Sequence, residues 1–222
     1  MTESYRLLTG EGIKEMLGEL LERLSNRGVT VDAYIVGGAA MAMHLGRSEL
    51  TPDVDGIFHP ADEVFAEAEA MATEYNLDPQ WINNRAVPFI EFGRSADKDA
   101  VRMELRGRPV VVASKRTLLA MKIAASRVKD RPDLTRLIHD LEMYDADEIV
   151  DLVFDVFGDA SMVAPNDPEE VRLLANEAIH RAKLAQPTPP AGETQGREPR
   201  GTSAGGQFTE KKQSPPEVTL GR

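Results

Sequence analysis

Between Tyr34 and Phe58 the chain reads YIVGGAAMAMHLGRSELTPDVDGIF, and this stretch constrains the fold more than any other. An apolar strand (Val29–Val36) runs into Gly37 and Gly38. A short helix (Ala39–Leu45) follows, and a second strand (Thr51–Phe58) carries two aspartates with one residue between them. Strand geometry aims Asp53 and Asp55 at the same face, with Val54 opposite. Two carboxylates held side by side repel each other unless a cation separates them. Hard oxygen ligands of this kind suit Mg²⁺, above all when substrate phosphates complete its coordination. The glycines supply a complementary element: without side chains, the backbone N–H groups at the start of a helix can approach a phosphate closely. A phosphate cradle and a metal-binding carboxylate pair, joined by one short helix, point to a nucleotide-handling enzyme.

The order glycine pair, short helix, D-x-D resembles the signature of the polymerase-β-like nucleotidyltransferase superfamily. The version GGAAMAMHLGRSELTPDVD, with Thr51 two residues before Asp53, looks most like the AbiEii-type enzymes of bacterial toxin–antitoxin and abortive-infection systems. A second segment, SKRTLLAMKIAASRVKDRPDLTRLIHDL (114–141), is similar to that family's helical pattern of a lysine, an alanine-rich turn, an arginine and D-x-x-D-L. The resemblance covers about Val29 to Leu141 and carries over Lys122, Asp130 and Asp133, with Arg127 as a phosphate contact. It implies that Asp53 and Asp55 hold Mg²⁺ against the phosphates of an NTP, that Gly37 and Gly38 hold the triphosphate, and that Lys122 neutralises charge there. The implied reaction moves a nucleoside monophosphate to an acceptor hydroxyl, with tRNA ends or another RNA as acceptor and a cognate antitoxin protein as partner. Two departures stand out. Ala39 replaces the serine that many members place after the glycines, so phosphate binding would rest on backbone groups. The third metal carboxylate is open between Glu104 in VRMEL and Glu91 in PFIEF.

The residues carry readings of their own. Leu118, Lys122 and Ala125 share a helix face at i, i+4 and i+7, so Lys122 emerges from the side that should be apolar. It must either snorkel to water or meet an anion. Asp130 and Asp133 flank Pro132, which marks a helix start, and acids in a first turn stabilise the N–H ends whatever the function. In VRMEL, alternation puts Arg102 and Glu104 on the face opposite Val101, Met103 and Leu105, toward a cleft or toward water. Trp81, in DPQWINNRAV, either packs on the core or stacks on a nucleobase.

Hydrophobic periodicity predicts further helices at Gly10–Arg27, closed by Gly28, and at Ala61–Tyr75, and strands at Pro88–Phe92, Val101–Leu105 and Arg108–Ala113. Helical segments follow at Lys115–Val128, Pro132–Met143, Ala146–Phe157 and Pro168–Leu184. The expected architecture is α/β: a small mixed-sheet core (1–114), a helical C-terminal part (115–186) and a disordered tail (187–222). The tail holds six of the 14 prolines and a near balance of charge, too little apolar surface to offset its ordering entropy.

A net charge of −11 argues against bulk nucleic-acid affinity, although basic residues cluster at Arg94–Arg108 and Lys115–Arg136. The absence of cysteine excludes disulfides and thiolate metal sites and agrees with a reducing cytoplasm. No apolar run approaches membrane-spanning length, and no signal-peptide pattern opens the chain, so a cytoplasmic protein without a membrane partner is expected. Two other classes fit the same residues. A non-catalytic module that keeps the fold, such as an antitoxin, would fail to bind Mg²⁺–NTP. A nucleotidyltransferase of the antibiotic-modifying kind would modify a cationic small molecule in place of RNA.

Overall fold

Helix α1 (Gly10–Asn26) shows how directly the pattern becomes structure. The Thr9 hydroxyl caps it by accepting the Gly12 N–H at 3.1 Å, and Ile13, Met16, Leu17, Leu20, Leu21 and Leu24 are all buried along one stripe. A computed structural model describes residues 5–45, 50–86, 97–158 and 167–185. The chain divides into two units, Met1–Ala191 and Gly192–Arg222, and every described residue belongs to the first. The predicted tail and the strand expected at Pro88–Phe92, with Glu91, lie outside the described residues.

After α1 come β1 (Asp32–Ile35), α2 (Gly37–Leu45), β2 (Val54–His59), α3 (Ala61–Tyr75), β3 (Ile82–Asn83), β4 (Val101–Leu105) and β5 (Arg108–Val112). The strands form one mixed sheet in the order β3-β2-β1-β5-β4. Central β1 runs antiparallel to β2 and parallel to β5, and β4 returns antiparallel on β5 as the outer strand. Ala33, Tyr34 and Ile35 are buried, as a strand covered on both faces requires.

β4 has the expected bounds, whereas β1, β2 and β5 are shorter than the sequence reading. β1 begins at Asp32 and β2 at Val54, so Asp53 stands just ahead of its strand and only Asp55 lies within it. Thr51 pairs instead with Leu8, each backbone N–H donating to the other's carbonyl at 2.9 Å. Helix α2 begins two residues earlier than predicted, with the glycines forming its first turn.

Four helices follow the sheet: α4 (Lys115–Ala125), α5 (Arg131–Leu141), α6 (Ala146–Phe157) and α7 (Pro168–Leu184), with a 3₁₀ turn at Val128–Asp130 ahead of α5. Ser114 caps α4 through its hydroxyl, and α4 packs on α2 at one side and on α5, α6 and α7 at the other. Leu134, Leu137, Ile138, Ile149, Val153 and Ile179 continue the core into this part, giving the α/β unit with a helical C-terminal half that the sequence predicts. Among the described residues no helix is long and apolar enough to cross a membrane.

Candidate active site

The first turn of α2 and the start of β2 are brought together by backbone pairing at the end of β1, where the Val36 N–H donates to the Asp55 carbonyl at 3.0 Å. Gly37 has φ +64°, a left-handed conformation that glycine adopts without penalty, and a Cβ added to it would stand 3.3 Å from Asp55 Oδ2. A Cβ on Gly38 would stand 3.5 Å from Thr51 Oγ1. The first bond within α2 runs from the Ala40 N–H to the Val36 carbonyl, leaving the amides of Gly37, Gly38 and Ala39 ahead of it. Ala39 itself is buried and presents nothing to the surface. The glycine turn and the D-x-D segment are therefore neighbours, Gly37 beside Asp55 and Gly38 beside Thr51.

The two carboxylates have different surroundings. Asp53 is held from several directions: the Thr51 hydroxyl donates to Oδ1 at 3.3 Å, Asn83 Nδ2 donates to Oδ2 at 3.5 Å, and Arg85 Nη1 lies 3.7 Å from the same oxygen. The carboxylate of Asp55, half-buried, has no hydrogen-bond or ion-pair partner among the described residues. Burial, then the charge of Asp53, pushes its carboxyl above the ordinary range, against the pull of Arg85, Arg127 and Lys129. Two close carboxylates, one unmatched, beside a glycine that leaves room, form a hard-oxygen donor set that fits Mg²⁺ when waters and phosphates supply the remaining ligands.

Lys122 neither snorkels nor faces the open site. It is 5 % exposed, and its Nζ lies 2.6 Å from Asp130 Oδ1 and 2.7 Å from Asp133 Oδ2, both buried. Arg127 Nε donates to the other Asp130 oxygen at 2.7 Å. Burial alone would raise Asp130, but the hydrogen bonds and charges of Lys122 and then Arg127 hold it below the ordinary carboxylate range. The anion that Lys122 meets is thus internal. Asp133 lies in the first turn of α5, as its sequence position predicts, and serves the lysine as well.

Glu104 does not join the pair. It is exposed on β4, three strands from β2, and pairs in register with Pro109, whereas the Asp55 level of the sheet continues through Val36 to Ala113 beyond the end of β5. Strand spacing and rise put it roughly 14 Å across and 13 Å along the sheet from Asp55. Among the described residues no three His, Cys, Asp or Glu side chains come together as a metal site. Trp81 is fully buried, and its indole N–H donates to the Ala68 carbonyl at 2.8 Å, which settles it as packing. Of the basic clusters, Arg106 turns to Glu19 and Glu22 on α1, and Lys115 to Asp140. Arg127 and Lys129 act on Asp55, joined by Arg85. Sequence reading missed Arg85 and Asn83, whose signal was adjacency to Trp81: a buried tryptophan fixes the short β3, and β3 fixes them. A separate recess of about 320 Å³, lined by His44, Asp99, Val101, Ser114, Lys115, Arg116 and Leu141, shares no residue with this site.

No protein-family model matches the chain, and no curated protein matches it. Among solved structures, the chain is similar to an antigenic nucleotidyltransferase-like protein from Paracoccidioides brasiliensis, at 14% identity and a TM-score of 0.44, over 82% of this chain and 97% of that one. A likeness at that level leaves the chemistry of the site to be argued from its own residues.

Proposed function

We propose that this chain is a nucleotidyltransferase that moves a nucleoside monophosphate from an NTP to an acceptor hydroxyl. The observation that carries the reading is the seating of the glycine turn beside the carboxylates: a Cβ on Gly37 would stand 3.3 Å from Asp55 Oδ2 and one on Gly38 3.5 Å from Thr51 Oγ1, so both side-chain-free positions border the D-x-D segment. Mg²⁺ held by Asp53 and Asp55 would neutralise phosphate charge and lower the pKa of an acceptor hydroxyl. The chain's own groups do the positioning. Amides of the first α2 turn meet phosphate oxygens, and Arg127 and Lys129 draw the polyphosphate toward Asp55. Lys122 works at one remove: it fixes Asp130, and Asp130 fixes Arg127. The acceptor in this reading is an RNA end, received by rim cations on an otherwise acidic body, and the biological role is that of a toxin–antitoxin or abortive-infection component. The similarity of GGAAMAMHLGRSELTPDVD to AbiEii-type enzymes supports that last step.

The test is transfer of label from α-labelled NTPs to total bacterial RNA and protein in Mg²⁺, with Asp55→Ala beside the wild type. Label on RNA that vanishes in the variant is the expected result. Absence of both transfer and Mg²⁺–NTP binding would sink the enzyme reading. Two observations favour a second reading, a non-catalytic module that retains the fold. Lys122 is saturated by internal aspartates, and no third carboxylate joins Asp53 and Asp55 among the described residues.

A further inference from the structure

Arg85 stands where sequence gave it no role. It follows β3 on a short turn that its own backbone stabilises, since the Arg85 N–H donates to Asn83 Oδ1 at 3.1 Å. Its side chain is anchored at one corner by a hydrogen bond from Nη2 to Gln80 Oε1. The remaining edge of the guanidinium points at Asp53 Oδ2 from 3.7 Å, beyond direct hydrogen-bond length, and the side chain is 61% exposed. The same oxygen already accepts from Asn83. Arg85 therefore has a charge relation to Asp53 without a tight bond to it, and its side chain is accessible from solvent. Asp55 feels Arg85, Arg127 and Lys129 only at longer range, with no ion pair to its carboxylate among the described residues.

We infer that Arg85 is the resident counter-ion of Asp53, one that nucleotide phosphates draw off, so that the site takes metal and nucleotide together in preference to the free ion. The inference rests on the metal-dependent reading given above. While Arg85 faces Asp53, a divalent cation approaching the pair meets a like charge at short range and a partly neutralised ligand. A polyphosphate lying over the first turn of α2 offers the guanidinium a more highly charged, bidentate partner. The move frees Asp53 and removes the repulsion at the moment when phosphate oxygens arrive to complete the coordination. Linkage makes the effect reciprocal: nucleotide raises metal affinity by the same factor by which metal raises nucleotide affinity.

Mn²⁺ binding to the full chain, followed by electron paramagnetic resonance with and without a non-hydrolysable NTP analogue, tests this directly. Compared with wild type, Arg85→Gln is expected to bind free Mn²⁺ about fivefold more tightly, the factor for a screened unit charge at this range. The enhancement of Mn²⁺ affinity by the analogue should fall by about fivefold to tenfold. Arg85→Lys should restore much of that enhancement. Asp53→Asn should weaken Mn²⁺ binding in either background. An unchanged or weaker free-Mn²⁺ affinity in Arg85→Gln, with Asp53→Asn still weakening binding, would overturn the role of Arg85 and leave the metal reading standing. Absence of Mn²⁺ binding by the wild type, with or without the analogue, would overturn both.

Discussion

Replacing Lys122 by Met removes the cation from between two buried carboxylates and leaves the helix face otherwise filled. Asp130 and Asp133 are 4% and 6% exposed, and each lies within 2.7 Å of the ammonium group in the wild type. After the substitution Arg127 still serves one oxygen of Asp130, while Asp133 loses its ammonium partner. Removing one member of a buried pair typically costs about 3–5 kcal/mol, because the partner's charge stays desolvated and unmatched. Against a total stability of about 5–15 kcal/mol this is a large fraction, and it corresponds to a fall in Tm of roughly 6–20 °C for a domain of this size. Urea unfolding followed by the fluorescence of Trp81, the sole tryptophan and a fully buried one, reads it out. The pH dependence distinguishes a charge effect from a packing effect. In the wild type the Asp130 carboxyl is held low, so its contribution is fully present above about pH 4 and is lost as pH falls through the folded value. In Lys122→Met that depression is largely removed, and protonating Asp130 relieves the variant, so its deficit should shrink on acidification. The triple variant K122M/D130N/D133N should recover much of the loss at neutral pH. A deficit below about 1 kcal/mol at neutral pH, or one that stays constant into acid, would refute the reasoning.

The carboxylate pair gives a second pH prediction. Carbon-detected NMR should find Asp55 titrating above an ordinary aspartate, and Asp53→Asn should bring it down, because the charge of Asp53 is one of the two groups of effects raising it. Gly37→Ala should destabilise the fold by about 1–2 kcal/mol through its left-handed backbone alone. The same substitution should weaken nucleotide binding disproportionately by crowding Asp55 Oδ2; equal effects of Gly37→Ala and Gly38→Ala on binding, measured by calorimetry, would argue against that contact. Glu104→Ala should leave both Mn²⁺ affinity and label transfer at wild-type levels, whereas loss of either would place that strand nearer the pair than the sheet order allows.

The part of the site legible in the sequence is the part that is contiguous. Strand, glycine turn, helix and strand follow one another between Tyr34 and Phe58, so period and spacing were enough to predict that Gly37 and Asp55 would meet. The burial of Lys122 was legible for a similar reason, since the helical repeat put it on an apolar face and its partners lie only eight and eleven residues further along the chain. What the repeat could not say was whether the anion awaiting it was a ligand or a neighbour. Glu104 failed differently. Alternation placed its side chain correctly off the inner face, but the position of β4 in the sheet is decided by non-local pairing that no local pattern encodes. Arg85 escaped notice because it sits on the turn after a strand of only two residues, too short for any periodicity to register. The early start expected for β2 had a physical competitor: Thr51 satisfies its backbone against Leu8, on the other side of α1 in sequence.

That exchange between Leu8 and Thr51 ties a closed circuit of chain. Everything from the cap of α1 through the glycine turn lies inside it, and the two reciprocal bonds seal it one step before the carboxylates begin. Closing so wide a circuit has an entropic cost that the bonds themselves cannot meet. It is met by the leucine-rich stripe of α1 seated in the core. Thr51, and with it the Oδ1 side of Asp53, is therefore pinned through a helix on the far side of the circuit. Loosening α1 from the core would unfasten that side of the carboxylate pair without altering any residue in it.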